Sequence, residues 1–460
     1  MENKKRYNTL LLTVDDLNYD TLGCFGSPVE GVSPNLDALC EEGIKFENSF
    51  VTIAVCQPSR CAMVTGRYPH RNGAKGFEAI DSSCTTMTER LAQHGYYNGI
   101  IGKEDHLAPK FKFAWDYYIQ TYNPEHAYGR NPQNYYDYTT EFLKQAKEAG
   151  KPFFLMANSH DPHRPFVGSK QEMKMFGTHY PCDHVYKAEE VDVKGCHPDL
   201  PIIREEMAQY YSSVRRGDQT IGRILDALKE SGEYDNTLIL FLSDNGMALP
   251  FCKTNCYYNS TRSPYIMKLP KDMQENQVKV CDTLVNGIDI TPTFLDIMGV
   301  EGIDDIDGKS FKECLYDNSD IHEDIFTQFY KTSINPQTGE PGYYPMRSVT
   351  SKKYVYIFNG WSDGETEFRN ESMSGLTFDA MKEAALTDAD VKARVDLFLL
   401  RKVEELYDVE NDNSCLVDLM DKPEYAQLVD EMRNKMHEYM VQSQDGFLDK
   451  YNKEIMILIK

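Results

Sequence analysis

The chain has 460 residues, enough for a large core and more than one simple domain. Its 41% hydrophobic and 26% charged residues are ordinary for a soluble globular protein, and no run approaches the ~18 apolar residues that cross a bilayer, so no membrane partner is expected. The net charge of −23 excludes a nucleic-acid partner on electrostatic grounds, and any anionic substrate would need concentrated positive charge at its site.

Near the N-terminus Lys4, Lys5 and Arg6 precede a short apolar run, residues 10–14, which stops at Asp15 and Asp16. That run is too short for a secretion signal, so a cytoplasmic location is expected. It suits a central parallel strand covered on both faces. Two adjacent carboxylates after a buried strand are costly unless something cationic neutralises them. A helix is expected over 34–43, and another begins at Cys56, because Pro58 fits a first helical turn and Gly66 fits just past the end. Cys56 would then sit where free amides and the helix dipole favour negative charge, with Arg60 one turn on. On the residues alone, a buried structural thiol stays open as the alternative.

A helix over 85–95 and a strand over 97–101 lead to Lys103 and His106. Residues 113–138, rich in Tyr, Asn and Pro, read as loop, with aromatic rings that cover the core or stack on a sugar. The strand 153–157 runs into His160, Asp161, His163 and Arg164. A helix over 202–231 and a strand over 237–242 precede Asp244 and Asn245, and a further helix covers 288–298. Beyond 343 the pattern changes to a hairpin, 346–350 with 354–358, and to helices over 377–402 and 424–443. The expected architecture is α/β: a large, mostly parallel sheet sandwiched by helices over 1–343, and a smaller α+β domain with an antiparallel sheet over 344–460. Open sheets of this kind bind ligands beyond the carboxyl ends of their strands. Four apolar strands ending in polar clusters would therefore converge on one edge.

The oxygen donors Asp15, Asp16, Asp244 and Asn245 suit Ca²⁺, with Mg²⁺ second, and a set without imidazole disfavours zinc. The twelve cysteines include no CxxC pair, and Cys252 and Cys256 stand without a matching His or Cys cluster. They read as reduced thiols, not as a zinc site. Asn259-Ser260-Thr261 and Asn370-Glu371-Ser372 match a glycosylation triplet, which carries little without secretion.

The string Cys56-x-Pro58-Ser59-Arg60 followed by Thr65-Gly66-Arg67 resembles the signature of the type I sulfatases. The resemblance implies that Cys56 is oxidised to formylglycine by a formylglycine-generating or anaerobic sulfatase-maturating enzyme, and that the hydrated aldehyde binds calcium and attacks sulfur. It further implies that Arg60 and Lys103 fix that group and neutralise sulfate, that Asp244 accepts a proton, and that His163, with Lys253 beside it, protonates the leaving group. His106 would assist release of sulfate, although two residues separate it from Lys103 where many family members have one. Glu405-Leu406-Tyr407-Asp408 also looks like the family. Within it, Asp161-Pro162-His163-Arg164, Lys253-Thr254-Asn255-x-Tyr257 and Tyr344-Pro345-Met346-Arg347-Ser348-Val349 resemble the branch that removes the N-sulfate of glucosamine in heparan. A sulfated saccharide is then the substrate, with His160, Arg164 and Arg347 as candidate contacts. Three other readings stand beside it: an O-sulfatase, a phosphoester hydrolase of the same fold, and a sulfated-glycan binder that is never oxidised. Asn245 disfavours the second of these, because a His there would better suit a transition metal. Oligomeric state is open, a homodimer included.

Overall fold

The computed structural model describes residues 5–334 and 341–459. Eight strands form the main sheet: β1 Asn8–Val14, β2 Ile44–Phe50, β3 Tyr97–Ile101, β4 Tyr117–Ile119, β5 Phe153–Asn158, β6 Thr237–Ser243, β7 Tyr265–Lys268 and β8 Val280–Asn286. Their order is β4-β3-β5-β1-β6-β7-β2-β8, with every neighbouring pair parallel except the two made by β7. β1 lies between β5 and β6, pairing over its length with β6 from Asn8↔Thr237 to Val14↔Ser243. Its side chains alternate between two cores, Leu10, Leu12 and Val14 on one face and Leu11 on the other. That two-sided burial is why the run is apolar without a break.

Helices cover both faces. The helix Pro201–Glu230 packs against Pro132–Glu148 and Pro34–Glu42 on one side. On the other, Cys56–Thr65 packs against Met87–Gln93 and Ile290–Met298. All ten residues of Cys56–Thr65 are buried, and Gly66 closes it at φ 65°, a left-handed cap that favours glycine. Thr86 and Glu89 form a reciprocal capping box at the start of Met87–Gln93.

The second sheet is antiparallel, in the order β12-β11-β10-β9, from β9 Ile325–Ile334, β10 Pro341–Thr350, β11 Tyr354–Asn359 and β12 Glu404–Asp408. The hairpin and its turn at 351–353 lie where the sequence predicts them. β9 starts this sheet ahead of the 343/344 boundary expected from sequence, because its partner is the β10 strand that follows it. Residues 113–138 are not one loop: β4 forms within them, and Asn131 caps a helix starting at Pro132. The expected helix 377–402 is two, Leu376–Ala384 and Ala389–Leu400, with Asp388 capping the second. Among the described residues no helix is long and apolar enough to cross a membrane, and the cysteines carry no disulfide.

Candidate active site

The carboxyl ends of β1, β3, β5 and β6 deliver the expected side chains to one place. Asp15 and Asp16 follow β1, and Asp16 turns at φ 69°. Its backbone amide donates to Asp244 Oδ1 at 3.3 Å. Ligand oxygens of Asp15, Asp16 and Asp244 lie within 4.8 Å of one another, all buried. The Asn245 amide donates to Asp16 Oδ1 at 2.7 Å and to the Gly246 carbonyl at 2.9 Å. Asp15 Oδ1, Asp16 Oδ2 and Asn245 Oδ1 are buried without a hydrogen-bond donor. Orphaned acceptors of this kind are expensive, and a hard cation is the group that satisfies several at once. The crowding also shows in Asp244, pushed up to about 8 by burial and by Asp15 and Asp16, against the pull of Arg60.

Cys56 opens its helix beside these oxygens. Ligand atoms of Asp15, Cys56 and His163 also fall within 4.8 Å of one another. Burial and then Asp15 hold the thiol well above its ordinary pKa, outweighing Lys253. Cys56 is therefore a neutral thiol here, not a ready nucleophile.

Lys103 reaches Asp15 from the end of β3, and Lys253 lies 2.6 Å from Asp16 Oδ1 and 3.4 Å from Cys56 Sγ. The two residues between Lys103 and His106 form a tight turn, and the His106 amide donates to the Lys103 carbonyl at 3.1 Å. His106 is thereby brought back into the buried cluster, where desolvation, Lys103 and Arg60 hold it neutral, well below its usual pKa. His163 donates from Nδ1 to the Arg164 carbonyl at 2.6 Å and turns Nε2 toward Asp16 Oδ2, 3.9 Å away. Its loop is clamped by Arg130, which bonds the carbonyls of His160 and His163, and by Asp161, held between Arg130 and Arg216.

Four expected residues are placed otherwise. Arg60 gives its Nη atoms to Thr13, Asn158 and Asp244, the last at 2.7 Å, so it braces the carboxylates from below. His160 bonds Thr121 through Nε2 at 2.7 Å and stacks on Tyr122. Arg164 is spent on Glu206 at 2.7 Å and on the face of Phe166. Arg347 is wholly buried against Asp445, with bonds of 2.6 and 2.8 Å, and against the Tyr330 hydroxyl. None of these last three guanidinium or imidazole groups is offered to a ligand. Arg347→Ala should cost about 3–5 kcal/mol in denaturant unfolding, since Asp445 would stay buried without its partner, while the KM of the folded fraction should not change.

Sequence reasoning missed Glu371. It comes from a short turn in the segment between β11 and β12 and meets Lys253 Nζ at 2.9 Å, with 32% of its side chain exposed. Asn370 fixes that turn by accepting from the Ser372 amide at 2.7 Å. The carboxylates of Asp15, Asp16, Asp244 and Glu371 thus face the cations of Arg60, Lys103 and Lys253. One divalent cation would reverse the sign of this set, as an anionic substrate requires.

A metal-fitting carboxylate pocket, a helix-mouth cysteine and flanking lysines define a hydrolase built for an anionic ester. The comparisons agree. Residues 7–300 match the family model described as Sulfatase, and 249–358 match that described as N-sulphoglucosamine sulphohydrolase, C-terminal. The chain belongs to the sulfatase family, and it is a sulfatase. It is 26% identical over 474 residues to the human N-sulphoglucosamine sulphohydrolase, covering 96% of this chain and 91% of that protein. An ulvan-active sulfatase of Formosa agariphila is also 26% identical, over 94% of this chain and 80% of its own length. A solved structure of a protein in complex with its substrate, D-glucosamine-2-N,6-O-disulfate, superposes with a TM-score of 0.70 at 20% identity, covering 98% of this chain and all of the other.

Proposed function

We propose that this sulfatase removes the N-sulfate of glucosamine in heparan- or heparin-derived saccharides, using a formylglycine made from Cys56 and a Ca²⁺ held by Asp15, Asp16, Asp244 and Asn245. The observation that carries the chemistry is the set of buried, donorless oxygens around the mouth of the Cys56 helix. The match of 249–358 to the N-sulphoglucosamine sulphohydrolase C-terminal model supports the substrate. The cation would supply Lewis acidity and charge, and the oxidised side chain a hydroxyl nucleophile. A maturation enzyme is then required as a partner.

The chain's own residues do the rest. Lys103 and Lys253 place fixed positive charge at either side of the pocket, where charge builds on sulfate oxygens. Arg60 orients Asp244. His163 presents Nε2 at the partly open rim and gives its proton to the departing group. Glu371, beside Lys253 at the rim, is placed to accept a hydrogen bond from the glucosamine nitrogen.

Burial lowers the His163 pKa from 6.5, against the opposing pull of Asp16 and Asp15. Its protonated form in the free enzyme therefore predominates only below that lowered value. The kcat/KM profile should fall as pH rises through an inflection on the acid side of 6.5, and His163→Gln should remove the inflection and slow turnover by roughly 10²–10⁴-fold.

The similarity to an N-acetylglucosamine-6-O-sulfatase of Bacteroides thetaiotaomicron, 26% identical over 68% of this chain, favours a second reading, in which a 6-O-sulfate is the target. Sulfate release from N-sulfoglucosamine and from 6-O-sulfoglucosamine decides between them. Preference for the N-sulfate is expected, and turnover confined to the 6-O-sulfate would overturn the proposed substrate.

A further inference from the structure

Cys196, His197 and Cys252 form a second cluster that the reaction does not use. The two sulfurs are 3.5 Å apart, and Cys196 Sγ lies 3.6 Å from His197 Nδ1. All three residues are buried, and one ligand atom from each falls within 4.8 Å of the others. The sequence hides this grouping, because Cys196 and Cys252 are 56 positions apart and Cys252 finds its partner there, not at Cys256. His197 Nε2 lies 2.8 Å from the Pro250 carbonyl. A donor bond there fixes the tautomer, leaving Nδ1 with a free lone pair, as carbonyl-oriented metal-binding imidazoles do.

We propose that Cys196, His197 and Cys252 bind a thiophilic d¹⁰ cation, Zn²⁺, through two thiolates and one imidazole nitrogen, with water as the fourth ligand. Soft sulfur and imidazole donors select such ions over the hard cation suited to the carboxylate pocket. Two sulfurs bound tetrahedrally to one zinc at ~2.3 Å stand ~3.8 Å apart, and a sulfur and a nitrogen bound at ~2.3 and ~2.1 Å stand ~3.6 Å apart. The observed sulfur pair at 3.5 Å approaches the first separation. Cys196 Sγ lies 3.6 Å from Nδ1 and 3.8 Å from Nε2 of His197, so the imidazole must turn to aim its Nδ1 lone pair between the two sulfurs when the cation binds. A disulfide would need its sulfurs at ~2.05 Å. Binding converts two thiols to thiolates and passes two protons to solvent.

The position gives the cation a purpose. Cys252 directly precedes Lys253, in a segment where Phe251 and Thr254 both hold positive φ, at 67° and 63°. Non-glycine residues there need support from outside. A cation tying Cys252 to the 196–197 loop pins the segment that carries Lys253 against Asp16 and Cys56.

The test uses the whole protein, with Ca²⁺ in excess to fill the oxygen pocket, dialysed against Zn²⁺ or Co²⁺. One equivalent of zinc is expected, and the cobalt form should show a thiolate-to-metal charge-transfer band. Cys196→Ser and Cys252→Ser should each take zinc from one equivalent to none, while Asp16→Asn should retain it. Should the serine variants fail to fold, His197→Gln must shift or weaken the cobalt band with both thiols still present. The proposal is overturned by a wild-type protein without the band, by a band that survives both serine changes or is unmoved by His197→Gln, or by an intact mass lower by two hydrogens that maps to a Cys196–Cys252 disulfide.

Discussion

Cys56→Ala should reduce sulfate release to the uncatalysed background, a loss of at least ~10⁵-fold given typical enzymic accelerations. The change should leave the fold nearly untouched. Among the described residues Cys56 Sγ has one hydrogen-bond partner, Lys253 at 3.4 Å, so truncation costs ~1 kcal/mol of stability. That split, activity gone with unfolding almost unchanged, separates a reacting atom from a packing atom. It also separates the enzyme from the glycan binder considered from sequence, since a binder would lose nothing measurable in saccharide affinity. Mass spectrometry of the peptide spanning Cys56 supplies the companion measurement: loss of sulfur and two hydrogens with gain of one oxygen marks the aldehyde. Residual turnover in the alanine variant within about tenfold of wild type would refute the assignment of the nucleophile.

Removing the cation should have the next largest effect. Chelation should lower kcat by ~10³-fold, corresponding to ~4 kcal/mol of transition-state charge stabilisation, and added Ca²⁺ should restore it. A second readout needs no substrate. An ion that binds only the folded protein stabilises it by ~2.7 kcal/mol at a concentration a hundredfold above Kd, so Tm should rise with Ca²⁺. Asp16→Asn should abolish the rise, because its Oδ2 is a donorless oxygen and its Oδ1 orients both Lys253 and Asn245. A chelated protein with full activity and an unshifted Tm would exclude the oxygen pocket as a cation site.

Much of the site was legible because a parallel sheet turns sequence position into spatial position. Each of β1, β3, β5 and β6 is an apolar run that halts at a polar cluster, and parallel strands put those halts along one edge. The helix at Cys56 was legible through Pro58 and Gly66, whose backbone restrictions act locally. Partner choice was not legible. Arg347 and Asp445 are 98 positions apart, and Arg164 and Glu206 are 42 apart, so an arginine beside a motif looks free until its distant carboxylate is seen. Glu371 was hidden for the opposite reason: it sits in a polar turn that reads as a glycosylation triplet, and only the tertiary fold carries it to Lys253. β7 was overlooked because a four-residue strand paired antiparallel to partners distant in sequence leaves a weak local pattern.

The clasp of Asp16 and Glu371 on Lys253 has a chemical corollary. A carbonyl carbon at position 56 would stand next to a primary amine, the usual prelude to imine formation. Only the unprotonated amine has the lone pair to condense, and Asp16 with Glu371 overcomes burial to hold Lys253 as ammonium far above its ordinary pKa. With the proposed aldehyde at position 56, the two carboxylates would guard it against this amine, and a protein that loses them would be open to cross-linking its own catalytic centre.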